Sequence, residues 1–484
     1  MGDVAFSLVE RHERSVPAER RRRDGVHYTP RGVAATLVAE AVDVLGRVPD
    51  TVLDPSCGAG AFLLAAADAL AAAGVPAREV VERRLVGVEV DPAAAAVAGA
   101  ALRAWAAEHG AADVGAPRIL TGDSRWLGED WPQRPAGGFD LVVGNPPFLS
   151  QLSSRTARSA ADRERAKDRF GAAFGYADAA ALHLAGALDL VASGGVVAML
   201  QPQSFLAARD TTPVRELLAA HADLVALWVG TERVFDAAVD VCAPILKRRT
   251  DGAAATDPVR VLADGSTSRA SHEVRRPAPR SWAPLLAPVH GLPDLDGTDQ
   301  QRSGVLGDLA TATAGFRDEY YALRDAALQS GPDGAPRLVT VGMVEPGWCT
   351  WGEQPRRLGG RTFTSPRLDV AALAAASPRV DRWVSQRRVP KVLVATQTRV
   401  VEAAVDPVGD CVPVTPLISV EPRDGVDVWM VAAALLAPPA SVHALAGHLG
   451  LGLSSGALRW SASAVLEVPL PTDEQLWTEA GARC

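Results

Sequence analysis

Cysteine is scarce in this chain and widely scattered. Cys57, Cys242, Cys349, Cys411 and Cys484 are the only five in 484 residues. The absence of any Cys-x-x-Cys pair argues against a zinc site or a disulfide framework and suits a reducing cytoplasm. Long unbroken apolar runs are missing too. Val428 to Leu458 carries no charge, but Pro438, Pro439, two histidines and several glycines interrupt it. It reads as a buried helix and loop, not a membrane span. A signal-peptide layout is absent, since Glu10, Arg11, Glu13 and Arg14 break any apolar core at the N-terminus. Nor is positive charge in excess. With a net charge of −8, attraction for nucleic acid has to come from local patches. What remains is an ordinary globular composition over a length that accommodates two or three domains.

The chemistry concentrates in Phe139-Asp140-Leu141-Val142-Val143-Gly144-Asn145-Pro146-Pro147-Phe148. A short apolar run bounded by glycine and proline predicts a buried parallel strand. Pro146 and Pro147 fix φ at two positions and remove two backbone donors. At the strand end stands a rigid set of acceptors, the Asn145 side-chain oxygen and the Pro146 carbonyl, with Phe148 as an aromatic wall. Acceptors gripping both N–H bonds of a planar amine would localise a lone pair that is otherwise delocalised, ready to attack an electrophilic methyl. Placement and electrostatics carry such a reaction. An aromatic face would hold a base extruded from its stack. The plain alternative is a strand-to-loop turn rich in Asn and Pro, so the neighbouring segments decide.

Residues 1–24, with Arg20 to Arg23 in a row, read as a flexible arm or a first helix. His27-Tyr28-Thr29-Pro30 then leads into a helix-like segment from Val33 to Leu45. Next, Thr51-Val52-Leu53-Asp54-Pro55-Ser56-Cys57-Gly58-Ala59-Gly60 joins a strand to a helix over Ala61 to Ala73. Gly58 and Gly60 let backbone approach a ligand over a helix N-terminus. Leu63 stands where a dinucleotide fingerprint would want a third glycine, which disfavours NAD or FAD. The strand Leu85 to Asp91 carries Glu89 near its end, placed to grip ribose hydroxyls. A further strand runs into Gly122-Asp123, where Asp123 could accept from an adenine amino group. Taken singly, each acid is better read as an ordinary helix N-cap. Together with Asn145 they line one carboxyl edge of a parallel sheet.

The ordered set Tyr28-Thr29-Pro30, Asp54-Pro55-Ser56-Cys57-Gly58-Ala59-Gly60, Gly87-Val88-Glu89, Gly122-Asp123 and Asn145-Pro146-Pro147-Phe148 resembles the γ-class DNA adenine-N6 methyltransferases. These are S-adenosylmethionine-dependent enzymes of bacterial restriction–modification and phage defence. The resemblance implies an α/β, Rossmann-like doubly wound methyltransferase sheet followed by a second, α+β target-recognition domain. It also implies double-stranded DNA as partner, with a separate restriction endonuclease or defence-system subunit, and no membrane. Thr29, Asp54, Gly58 and Gly60 would hold the methionine end of the cofactor, Glu89 its ribose and Asp123 its adenine, with Tyr28, Pro30, Pro55 and Cys57 also in the cofactor site. Asn145, Pro146, Pro147 and Phe148 would hold the target base. Phe235, in Val234-Phe235-Asp236, sits where the family places a second aromatic against that base.

The expected division is a catalytic domain over 1–250, a linker or irregular excursion over 251–303, and a target-recognition domain over 304–484. Ser153 to Phe170 has six basic residues against three acidic ones, and reads equally as a DNA-closing segment or a solvated helix face. Val341 to Val400 has ten Arg/Lys against four acids, interleaved with Trp348, Trp351, Phe363 and Trp383, which suits phosphate contacts. Nothing resembles a nuclease domain, so a stand-alone methylating subunit is expected. The same turn chemistry also serves RNA-base and protein-glutamine methyltransferases, and more remotely N4-cytosine enzymes. A non-catalytic scaffold with an inherited cofactor fold is the remaining reading.

Overall fold

Apolar strands ending in a glycine or an acid alternate with alanine- and leucine-rich helices through the first half of the chain, and that alternation dictates a parallel sheet with crossover helices. The computed structural model describes residues 4–17, 29–126, 131, 133–149, 159–232, 234–235, 239–250, 255, 257–265, 269–292, 304–332, 334–449, 459–470, 477 and 479. Tyr28, the Arg20 to Arg23 run, Arg155, Arg158 and Asp236 lie outside the described residues. Two units emerge, Met1–Val289 and His290–Cys484.

In the first unit, α1 (Val4–Ser15) and α2 (Arg31–Leu45) precede β1 (Val52–Asp54), α3 (Ala61–Ala72), β2 (Leu85–Glu89), α4 (Pro92–Glu108) and β3 (Arg118–Thr121). Then come β4 (Phe139–Gly144), α5 (Ala160–Phe170), α6 (Ala179–Leu190), β5 (Val191–Met199) and the short β6 (Gln201–Pro202). The unit continues with α7 (Thr212–His221), β7 (Ala222–Gly230), β8 (Val241–Arg248), β9 (Val259–Asp264) and β10 (Arg269–Val274). The sheet runs β10-β9-β7-β8-β5-β4-β1-β2-β3, with β6 paired to β8. Adjacent strands from β3 to β5 are parallel, and β8 lies antiparallel between β5 and β7. Strand order reverses between β1 and β4, the switch point where such sheets bind ligands beyond their carboxyl ends.

Every residue of β1 and β4 is buried, as the apolar runs require. Asp140 is the polar exception inside β4. It accepts from the backbone N–H groups of Asp50 at 2.7 Å and Thr51 at 3.1 Å, and pairs with Arg47. That tie fixes the entry of β1 against β4, and so the register of their two carboxyl ends. The fold is the expected doubly wound α/β sheet.

Part of 251–303, expected as a linker, instead extends this sheet. β9 pairs parallel with β7, and β10 antiparallel with β9. Arg215, fully buried on α7, then clamps the following segment by donating to the carbonyl of Pro279 at 3.1 Å and pairing with that of Arg280.

The second unit is α+β, as expected. It contains β11 (Ala310–Ala314), α8 (Arg317–Asp325), β12 (Ala327–Leu328), β13 (Arg337–Val339), β14 (Val344–Glu345), β15 (Trp348–Cys349), β16 (Arg356–Leu358), β17 (Arg361–Phe363) and β18 (Arg367–Leu368). Beyond these lie α9 (Val370–Ala376), α10 (Pro378–Gln386), β19 (Lys391–Val394), β20 (Ala403–Asp406), β21 (Cys411–Pro413), β22 (Ile418–Pro422), α11 (Val428–Leu436), α12 (Pro438–His448) and α13 (Ala462–Leu466). Two four-stranded sheets, β11-β22-β19-β20 and β12-β18-β13-β21, are accompanied by the ribbons β14–β15 and β16–β17. Pro438 begins α12, where its missing N–H costs nothing, so the expected helix and loop become two helices bent by 63°. No single helix among the described residues is long and apolar enough to cross a membrane.

Candidate active site

The site assembles where β1 and β4 end. Asp54 closes β1 fully buried, accepting from the Ser56 backbone N–H at 3.0 Å. Gly58 and Gly60 follow with φ of +52° and +104°, the left-handed region that glycine alone enters freely. A side chain at Gly60 would press to 3.3 Å against the Ala98 backbone of α4, so the bare position brings α3 close to α4. Glu89, at the tip of β2, accepts from the Gly58 N–H at 2.9 Å and the Asp91 N–H at 2.8 Å. Cys57 lies beneath, its sulfur 2.9 Å from where a Gly87 Cβ would be.

Burial dominates the electrostatics here. It pushes Asp54 up to about 8, helped by the Glu89 carboxylate and opposed by the Ser56 N–H. Glu89 is raised for the same reason, and the Cys57 thiol is driven far up. Carboxyl groups held back from ionising favour a cationic ligand, which would restore the charge they lack.

Gly144 links the end of β1 to the Asn-Pro-Pro-Phe turn. A Cβ there would lie 2.6 Å from Asp54 Oδ1, so the buried acid sits in the space the glycine leaves. The Asn145 side-chain amide donates to the Thr29 hydroxyl at 3.0 Å, and Thr29 itself is buried. Pro30 starts α2, its carbonyl accepting from Val33 and Ala34. Pro55 and Pro146 are buried, whereas Asn145, Pro147 and Phe148 are partly exposed. The Phe148 and Phe235 rings meet edge to face, 6.0 Å between centroids at 67°. Thr29, Asp54, Asn145, Phe148 and Phe235 thus gather from four distant parts of the sequence.

Asp123 follows β3, and the Gly122 N–H donates to the Glu89 carbonyl at 2.9 Å. Sequence reasoning missed its partner. Arg125 donates to Asp123 through Nε at 3.0 Å and Nη2 at 2.7 Å, and reaches Asp162 on α5 through Nη1 at 3.1 Å. Burial alone would raise the Asp123 carboxyl, but the Arg125 guanidinium outweighs it and holds the group below its ordinary value. His183, buried on α6, is pushed down to about 4 by burial and then by Arg125. The signal for Arg125 was an arginine two residues after a strand-end acid, a spacing that permits a forked pair.

In the second unit, guanidinium groups lie on rings in and beside the basic stretch. Arg337 and Arg367 stand 4.9 and 5.1 Å from the Trp351 centroid, and Arg361 lies 4.7 Å from that of Phe363. Trp348 is 59% exposed. Lys391, counted among the basic residues of this stretch, is fully buried against Asp406 and cannot reach a phosphate.

A doubly wound sheet with a glycine turn, buried acids and an Asn-Pro-Pro-Phe turn at one edge defines a Rossmann-like methyltransferase fold. Residues 14–277 match the family described as N-6 DNA Methylase, over half of the chain, and the chain belongs to that family. Among solved structures it is similar in fold to the type IIL restriction-modification enzyme MmeI in complex with DNA, with TM-score 0.57 and 14% identity over 93% of this chain and 69% of that one. The DrdV–DNA complex matches with TM-score 0.53 and 12% identity over 99% of this chain and 59% of that one. The type IIG restriction endonuclease BpuSI gives 0.50 and 13% over 99% and 62%. The chain therefore spans about three fifths of the DrdV and BpuSI chains. No curated protein sequence matches it.

Proposed function

We propose that this chain methylates the N6 amine of adenine at specific sites in duplex DNA, using S-adenosylmethionine, in restriction–modification or phage defence. The observation that carries the proposal is the junction at Gly144, where the acceptor turn begins against the buried Asp54. The buried Asp54 and the half-buried Glu89, both with raised affinity for protons, and the glycine turn fit a cationic, ribose-bearing cofactor. Thr29, Asp54, Gly58 and Gly60 would hold its methionine end, Glu89 its ribose and Asp123 its adenine. When bound, the cofactor supplies an electrophilic methyl on a sulfonium.

The chain's own residues do the rest. Asn145 and Pro146 accept the two amine hydrogens and orient the nitrogen lone pair. Phe148 and Phe235 flank the extruded base. Arginines of the second unit supply phosphate contacts, strongly salt-dependent by nature. The test is labelled methyl transfer to duplex DNA, RNA and protein side by side, with Asn145→Ala as control. Incorporation into DNA that Asn145→Ala abolishes supports the reading. Incorporation into RNA or protein alone, or undiminished turnover by the variant, overturns it.

A further inference from the structure

Helix α5, the first described element after the Asn-Pro-Pro-Phe turn, is fastened to the turn after β3 at three points. Arg125 Nη1 reaches Asp162 in the first turn of the helix at 3.1 Å. Arg169, in its last turn, donates to the Arg125 carbonyl. Between them the Arg165 guanidinium lies 5.9 Å from the Trp126 ring centre. The helix start is set independently, with the Ser159 hydroxyl accepting from the Asp162 N–H at 3.0 Å.

Arg125 faces two carboxylates at once. One is Asp123, gripped through two guanidinium nitrogens and the Arg125 backbone N–H at 3.1 Å. The other is Asp162, 84% buried at its side chain. With Arg125 itself largely buried, this is a partly desolvated triad in which a planar fork fixes the plane of each carboxylate. Removing the fork would take away the cation that joins Asp123 to Asp162.

We infer that Arg125 is a positioning residue that orients Asp123 toward the adenine of the cofactor and, through Asp162, couples cofactor binding to the placement of α5. The inference rests on the reading of Asp123 given under Proposed function. A carboxylate held in plane by Arg125 keeps one lone pair, on Oδ2, for an exocyclic amine, and any shift of Asp123 on binding is passed along one rigid guanidinium to the helix.

The test uses the full chain with Arg125→Ala, Arg125→Lys and Asp162→Asn, S-adenosylmethionine titrated by calorimetry, and amide hydrogen exchange over residues 160–170 with and without it. Arg125→Ala is expected to weaken cofactor binding by about tenfold or more, and Arg125→Lys to restore only part. Asp162→Asn should bind cofactor within about threefold of the parent yet lose the cofactor-dependent slowing of exchange across α5. That separation would not arise from a merely structural role. If Arg125→Ala binds like the parent, or exchange over 160–170 in the parent ignores the cofactor, the inference is overturned. Should Arg125→Ala fail to fold by circular dichroism, Asp162→Asn decides on its own. A parent that binds no S-adenosylmethionine sinks the proposed function as well, whereas a parent that binds while every variant matches it sinks the inference alone.

Discussion

The Asn145 side-chain amide donates to the hydroxyl of Thr29, 3.0 Å away and 116 residues earlier in the chain. With its backbone fixed, an asparagine side chain keeps two torsions, χ1 and χ2, that orient its planar amide. Pinning the nitrogen end to a buried hydroxyl therefore sets the direction of the oxygen at the other end.

Thr29→Val keeps the shape of the side chain and deletes the hydroxyl. Turnover should fall about 10- to 100-fold, in the range of a lost preorganised contact, with a smaller change in KM for DNA. Thr29→Ser should recover most of the loss. Equal effects of Val and Ser in steady-state methylation assays would remove Thr29 from this role.

The Phe148 and Phe235 rings pack edge to face, with Phe148 partly exposed and Phe235 buried behind it. Phe235→Leu should weaken binding of target DNA about tenfold or more, as expected for one lost base–aromatic stack. A fluorescent purine analogue at the target position should brighten less on binding to the variant than to the parent. An identical fluorescence change would place Phe235 in the core alone.

Asp54 is pushed up to about 8 from an ordinary 3.8, chiefly by burial. Its protonated form therefore contributes stability to the ligand-free protein that is complete below the ordinary value and disappears as pH rises through about 8. A cationic cofactor favours the ionised form, so the dependence of binding has the opposite sign. Below pH 8 binding expels a proton, and affinity should rise by up to about tenfold per pH unit before levelling off. Calorimetry in buffers of different ionisation enthalpy measures the proton directly. A flat profile in the parent, matching that of Asp54→Asn, would contradict the assignment.

Lys391 and Asp406 form a fully buried ion pair, and Asp406 also accepts from the backbone N–H groups of Gly409, Asp410 and Cys411. Lys391→Ala strands that carboxylate in the interior. The expected loss is about 3–5 kcal/mol, read as a lower denaturation midpoint of the second unit. A midpoint within experimental error of the parent would show that water reaches Asp406.

Much of this site was legible because its chemistry sits in short segments with strong local rules. Apolar strands stopped by Asp54, Glu89 and Gly144 line up along one sheet edge, whereas Phe235 was reached only through the resemblance to the methyltransferase family. Arg125 escaped notice because its significance depends on Asp162, which approaches only after α5 folds back. β9 escaped for a different reason. Val259-Arg260-Val261-Leu262-Ala263-Asp264 has only a brief alternation, in surroundings rich in Pro, Ala and Asp, and its strand character comes from pairing with β7. Lys391 shows the converse, a residue whose charge reads as surface until its partner is known.

Gly144 has a practical corollary. One added methyl, in Gly144→Ala, would act as a spacer wedged against Asp54 between donor pocket and acceptor turn. On the proposed function, the resulting protein should still dock on duplex DNA while leaving it unmethylated. Mapped in cells as occupancy without modification, such a decoy would chart where the enzyme goes apart from what it does there.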